Sequence, residues 1–314
     1  MSDLNSKFEK LTQRKAAAAQ AVPAPPAPLS TAVFKADLFK GKVLFCTGGG
    51  SGICKTMTQA IMRHGASATI VGRKLERLEA SAKELSEKTG GRCIAAQGDV
   101  RKTEQLHAAV QKTIDTYGRI DLVICGAAGN FLAPIDGLSE NGFRTVLEID
   151  TLGTYSTIKA TLPHVRKSHG AYIHVSATLH HSGTPYQAHV SAAKAAVDAL
   201  SNVLAVEEGP RGVRSNVIAP GPIGGTEGMD RLTAQDGKGD KDLGYLNSVP
   251  LQRIGEKQDI ANMAVFLFSE AANWVTGQII VVDGGHEHLR TTQLPYPRSV
   301  LDPEGVKDLV LGKL

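Results

Sequence analysis

Residues 42–54 read KVLFCTGGGSGIC. A short apolar run, 42–47, enters a glycine-rich turn, and a helical pattern follows as far as His64. Glycines in such a turn let the backbone bend sharply and come close to a pyrophosphate. The helix behind it presents free N–H groups and a partial positive charge. A glycine run alone is a weak signal, but between a strand and a helix it predicts a dinucleotide site. The residues assigned to it are Thr47, Gly48, Gly49, Gly50, Ser51, Gly52 and Ile53.

Working outward, SATIVG (67–72) reads as a second strand, followed by a charged helix, KLERLEASAKELSEK. RCIAAQ (92–97), DLVICG (121–126), AYIHVS (171–176), VRSNVIA (213–219) and GQIIVVDGG (277–285) read as further strands. Helical spacing runs over 104–117, 139–168 and 185–208. Short apolar strands alternating with helices predict parallel βαβ units and one doubly wound Rossmann-type sheet, an α/β fold with helices on both faces. The second strand ends at Arg73 and Lys74, with Arg77 one turn on. An NAD-preferring site carries an acidic residue there for the ribose hydroxyls. A basic cluster forks instead onto a 2′-phosphate, so the expected cofactor is NADP(H). Asp99, after the third strand, is expected near the adenine, or else is a turn-forming residue.

Thirty-three glycines, 21% charged residues and 5% aromatics describe an ordinary globular chain. The formal charge of +4 is too mild and too scattered for a nucleic-acid footprint. No run approaches the roughly 18 apolar residues of a membrane span. Cys46, Cys54, Cys93 and Cys125 form no CxxC pair and no metal is expected; Cys46, Cys93 and Cys125 lie in or beside strand-like runs, so buried free thiols are expected. Residues 1–35, with the Ala/Pro tract 16–28, are expected to form a flexible arm, and the acidic Asp3 and Glu9 argue against a presequence. Residues 36–290 form the expected core domain, with 224–249 as a substrate lid or a surface loop. Residues 291–314 form a tail ending Gly312-Lys313-Leu314, a relaxed version of the peroxisomal address. Cytosol is the alternative compartment.

The TGxxxGI turn, the GDV at 98–100, the GAAG at 126–129, Lys194 in SAAKAA and the PGPI at 220–223 resemble the short-chain dehydrogenase/reductase family over about residues 38–286. Two departures stand out. Cys54 occupies the last glycine of the family's TGxxxGxG, where close helix–strand packing favours a small residue. The tyrosine of the usual YxxxK is replaced by Val190, and the usual catalytic asparagine by Asp150. The segments CGAAGNFLAP, LEIDTLGT, VSATLHHSGTPYQAHVSAAKAAVDAL and APGPIGGTEGMDRL resemble the 2,4-dienoyl-CoA reductase branch of that family, which lacks the tyrosine.

That resemblance implies NADPH-dependent reduction of 2,4-dienoyl-CoA to 3-enoyl-CoA in β-oxidation of unsaturated fatty acids, in a homotetramer paired through helices 140–167 and 185–208. It implies catalytic roles for Asp150, Lys194 and Ser176. Val100, Ala127, Lys194, Pro220, Gly221, Pro222, Ile223 and Thr226 would line the cofactor, and Arg101, Asn130, Phe131 and Arg231 the acyl-CoA. The open structural readings are a capping or salt-bridged carboxylate at Asp150 and turn residues at Ser176 and Asn130. His180, His181 and His189 read as structural, and Tyr186 as pocket lining rather than the acid. The alternatives are a 3-oxoacyl thioester reductase of the same family and a catalytically silent NADPH-binding protein.

Overall fold

The computed structural model describes residues 23–226, 248–289 and 301. Residues 1–22 of the expected arm, 227–247 of the expected lid and nearly all of the tail lie outside the described residues, as does Arg231. The chain divides into two compact units. The larger, Pro26–Gln235 with Gly255–Val282, carries the sheet. In the smaller unit, Ala24 N–H donates to the Leu251 carbonyl at 2.9 Å, and Leu251 N–H to that of Gly284 at 3.1 Å.

Seven parallel strands make up the sheet: β1 Val43–Thr47, β2 Ser67–Gly72, β3 Cys93–Gln97, β4 Leu122–Cys125, β5 Ala171–Val175, β6 Arg214–Pro220 and β7 Ile279–Val282. Their order is β3-β2-β1-β4-β5-β6-β7. The order reverses between β1 and β4, and a crevice opens at the carboxyl ends of strands at such a switch point. Successive side chains point to opposite faces. Leu44, Cys46, Leu122 and Ile124 therefore enter one apolar cluster, and Phe45, Val123 and Cys125 enter the other. With both faces covered, the strands read as nearly continuous apolar runs. All four cysteines are buried and free.

The crossover helices are α1 Gly52–Arg63, α2 Leu75–Thr89, α3 Thr103–Tyr117, α4 Glu140–Leu147, α5 Gly153–Ser168, α6 Ala188–Glu208 and α7 Lys257–Phe268. On one face α1 and α2 send in Met57, Ile61 and Leu85, and α7 sends in Ile260 and Ala264. On the other face α3 contributes Leu106 and Val110, α5 Ile158 and Val165, and α6 Leu204. No helix among the described residues is long and apolar enough to cross a membrane.

The structure departs from the sequence reading in four places. The helix expected over 139–168 is broken by a π-helical turn, Glu148–Leu152, between α4 and α5. The helix expected from 185 begins at Ala188, because Pro185 and a left-handed Tyr186 (φ 63°) interrupt the helical path. Helix α7 went unread, although a reciprocal capping box marks its start: the Glu256 side chain accepts from the Asp259 backbone, and Asp259 accepts from Glu256 N–H at 2.7 Å. Lastly, Ser30 and Phe34, within the expected flexible arm, pack on His64 at the end of α1. Ser30 is buried, and its hydroxyl bonds to His64 Nε2 at 3.0 Å, while Phe34 lies edge-on to the His64 ring.

Asp121, just before β4, ties the entry of β1 to β4. Its Oδ2 accepts from Val43 N–H at 2.9 Å and from Arg119 Nε at 2.8 Å. Asp121→Ala removes both bonds and leaves a backbone donor unpaired at a buried position. The expected loss is about 3 kcal/mol, read as a lower urea midpoint at unchanged slope. An unchanged midpoint would mean that this carboxylate does not hold the strands together.

Candidate active site

The functional groups converge on the carboxyl ends of the strands. At the end of β1, the Thr47 hydroxyl accepts from Gly126 N–H at 3.1 Å and donates to the Ile124 carbonyl at 3.3 Å. These bonds draw the turns after β1 and β4 together. The approach is so close that a Cβ on Gly48 (φ 72°) would fall 2.7 Å from the Gly126 oxygen, and one on Gly49 would fall 2.6 Å from an Ile70 methyl. Only bare backbone fits there. It leads into the N-terminus of α1, so the residues present form a cradle for a phosphate-bearing cofactor.

Cys54 lies in the first turn of α1, buried, with its thiol 3.7 Å from the Gly126 oxygen. A Cβ on Gly126 would meet that sulfur, so Cys54 fills the space and position 126 must remain glycine. Arg73, Lys74 and Arg77 are exposed at the end of β2. Asp99 and Arg101 pair with each other: Arg101 Nη2 is 2.6 Å from Asp99 Oδ2, and the guanidinium holds the Asp99 carboxyl below its usual range. The guanidinium expected to meet acyl-CoA is thus already engaged with the carboxylate expected near the adenine. Val100 is buried against α5, where a Cβ on Gly153 would collide with its methyl at 2.5 Å.

The π turn carries Asp150, whose exposure is only 1%. Single π turns often sit at functional sites. Asp150 Oδ1 accepts from Gly129 N–H at 2.8 Å, from the segment after β4. Oδ2 lies 2.9 Å from the Lys194 ammonium. That contact is ionic rather than a directed hydrogen bond, since Oδ2 has no hydrogen-bond partner. Lys194 aims its directed bond at the Val175 carbonyl, 3.0 Å away, at the end of β5. Thr151, the next residue on the π turn, donates to the Ala193 carbonyl at 3.2 Å. Asp150 is therefore a salt-bridged buried carboxylate, and its second oxygen retains accepting capacity.

Asn130 and Ser176 directly follow the two backbone anchors of this pair, Gly129 and Val175, and their Oδ1 and Oγ are buried without partners, as is Gln187 Oε1 just before α6. Polar atoms buried in this way are costly unless something pairs with them. The Phe131 ring lies 4.3 Å from the His189 ring, centroid to centroid. Burial pushes the His189 imidazole below its usual range, partly offset by the Asp150 charge, so it is neutral near pH 7. Val190, at the position of the usual tyrosine, is buried and apolar. Tyr186 is half exposed, and its carbonyl accepts from Ala133 N–H at 3.2 Å, which ties the Phe131 segment to the approach to α6.

From the last residue of β6, Pro220, the chain runs through Gly221, Pro222 and Ile223 into the next turn. Gly221 N–H donates to the Val282 carbonyl at 3.0 Å and Thr226 Oγ1 to that of Ile223 at 3.0 Å. Sequence reading did not single out Gln187. Its only signal is an amide just before the apolar start of α6, and nothing local says that it is buried.

Comparison with known proteins places this geometry. A family model described as enoyl-(acyl carrier protein) reductase matches residues 48–287. The chain is 50% identical over 284 residues to a peroxisomal 2,4-dienoyl-CoA reductase [(3E)-enoyl-CoA-producing] of Saccharomyces cerevisiae, covering 90% of this chain and 94% of the relative. It is 46% identical over 256 residues to the protein of that description in Danio rerio, covering 81% and 84%. The crystal structure of a short chain dehydrogenase from Bacillus anthracis superposes with a TM-score of 0.72 at 35% identity, over 81% of this chain and 99% of that one. By fold, switch-point cradle and these likenesses, the chain belongs to the short-chain dehydrogenase/reductase family.

Proposed function

We propose that the chain is an NADPH-dependent oxidoreductase that reduces 2,4-dienoyl-CoA to 3-enoyl-CoA in the β-oxidation of unsaturated fatty acids. The observation that carries this reading is the buried Asp150–Lys194 pair beside a buried valine where a tyrosine acid would stand. The relatives named above as 2,4-dienoyl-CoA reductases support it. A ketone reductase must protonate an alkoxide, and Val190 has no proton to give.

Reduced nicotinamide, when bound, supplies the hydride that adds at C5 of the dienoyl chain. Charge then develops on the thioester oxygen as a dienolate, and that oxygen needs donors held in place beforehand. Ser176 Oγ is a buried, unpartnered hydroxyl able to donate to it, and the Asn130 side-chain NH2 is the second donor. C2 of the dienolate must gain a proton. A water bound at Asp150 Oδ2 would pass its proton to C2 and regain one from solvent, while Gly129 N–H and Lys194 fix the carboxylate. Lys194 in addition offers donors to the nicotinamide ribose.

Arg73, Lys74 and Arg77 receive the 2′-phosphate, because a guanidinium forks onto phosphate oxygens. Gly48 to Ile53 take the pyrophosphate, Val100 and Ala127 flank the adenosine side, and Pro220 to Ile223 with Thr226 cover the nicotinamide. Phe131 and Asn130 contact the acyl group, with Arg101 toward CoA. Exposed apolar side chains Leu152 and Tyr155 on one side, and Val203 and Val206 on α6, support a homotetramer paired through these helices. The peroxisomal names of the relatives support a peroxisomal location.

Asp150→Ala is expected to lower turnover of 2,4-hexadienoyl-CoA by about 10²–10⁴-fold, followed as NADPH absorbance, with NADPH affinity nearly unchanged. Asp150→Asn, which keeps the Gly129 bond, is expected to lose turnover similarly. Full turnover in either variant would remove this carboxylate from the chemistry. Acetoacetyl-CoA in place of the dienoyl substrate is expected to give no turnover.

Arg73→Glu is expected to raise the Kd for NADPH by more than about tenfold, the loss of one charge-assisted phosphate contact and its replacement by repulsion. NADH binding should change little. Equal losses for the two cofactors would overturn the 2′-phosphate assignment.

A further inference from the structure

The turn between β5 and α6 holds two adjacent histidines, and α6 carries Asp198 one helical turn past Lys194. In the fold, one ligand atom from each of His180, His181 and Asp198 lies within 4.8 Å of the other two. His180 Nε2 is 2.6 Å from Asp198 Oδ2, and the two imidazole rings meet edge to face with centroids 4.5 Å apart.

The Asp198 side chain is 6% exposed and that of His180 14%, while His181 stands at the exposed rim. Two buried atoms of the cluster, Asp198 Oδ1 and His180 Nδ1, have no hydrogen-bond partner. The Asp–His contact through Nε2 and Oδ2 thus uses one side of each buried side chain. The turn is held in place independently. His181 N–H donates to the Thr178 carbonyl at 3.1 Å, and both Thr184 Oγ1 and Ser191 Oγ donate to the Leu179 carbonyl, at 3.2 and 3.4 Å.

We propose that His180, His181 and Asp198 form a binding site for a divalent transition ion of the zinc class. Two imidazoles and a carboxylate make a borderline donor set that suits Zn²⁺, whereas Ca²⁺ and Mg²⁺ take oxygen ligands. Three protein ligands with one at the rim leave a fourth, solvent-facing position for water. In the metal-free protein the proton between His180 Nε2 and Asp198 Oδ2 stands in for the ion. Two ligand atoms about 2.1 Å from a tetrahedral ion lie roughly 3.4 Å apart. Binding at Nε2 therefore shifts that proton to His180 Nδ1 and widens the pair by under about 1 Å, a side-chain adjustment. The ion would tie the segment after Ser176 to the helix carrying Lys194, without entering the reductase residues themselves.

The test uses the full-length chain free of any purification tag, stripped with a chelator and then exposed to ZnCl₂ alone. After desalting, elemental analysis is expected to find a single zinc per chain, with a raised melting temperature. His181→Ala, at the exposed rim, is expected to melt like wild type without zinc. It should bind zinc more weakly by more than the roughly tenfold that loss of an outer-shell partner costs. His180→Ala is expected to retain none. Loaded with Co²⁺, the protein should show visible bands without sulfur-to-metal charge transfer. Zinc absent from the wild type, affinity equal in wild type and both variants, or sulfur-to-metal bands that move the ion to the cysteines would each overturn the site.

Discussion

A lysine ammonium and an aspartate carboxylate 2.9 Å apart, both shut away from solvent, hold the centre of this molecule together. Neither charge could be buried alone, because removing a charge from water costs far more than one hydrogen bond returns. Each is therefore paired with the other and anchored to backbone: Asp150 to Gly129 N–H, Lys194 to the Val175 carbonyl. Those anchors come from the ends of β4 and β5, and the charges come from the π turn and α6. Four elements distant in sequence are thereby locked at one point, at the mouth of the switch-point crevice.

The second constraint is steric. The turns after β1 and β4 approach until no Cβ fits at Gly48, and Thr47 joins them from the side. Cys54 in place of the family's usual glycine is accommodated because position 126 has no side chain: the Cys54 sulfur takes the volume that a Gly126 Cβ would occupy. The substitution moves the burden of smallness from one side of the contact to the other. A similar close approach sets α5 against Val100 through Gly153, directly after the π turn, so the position of Asp150 is fixed from both of its neighbours.

Much of the architecture was legible in the residues. Strands such as 67–72 match their expected bounds because a strand buried on both faces is a continuous β-branched and apolar run between turn residues. Helices α2 and α3 announce themselves by amphipathic spacing and a closing glycine. What escaped was non-local. The π turn within 139–168 leaves no trace in the apolar spacing, and the contacts Asp150 makes from it, to Gly129 and Lys194, are remote in sequence. The packing of Ser30 and Phe34 on His64 was hidden by the Ala/Pro composition around them. Helix α7 carried a readable capping box, but its apolar run lacks the polar face by which a surface helix is recognised.

The same division holds at the site. Glycines, lysine, aspartate and the absent tyrosine are matters of residue type and spacing, and the sequence by itself determined that a glycine-rich strand–turn–helix, Lys194 and Asp150 stand at the family's motif positions and that a tyrosine does not. Only the tertiary structure decided which oxygen of Asp150 remains able to accept, that Arg101 turns to Asp99, and that Asp198 meets His180 and His181 across the turn from β5 to α6. The physical reason is one of range. Helical and strand periodicities and turn chemistry act over a few residues and are written locally. Hydrogen-bond direction and burial depend on groups brought together by the closing of the sheet, and no short stretch of chain contains them.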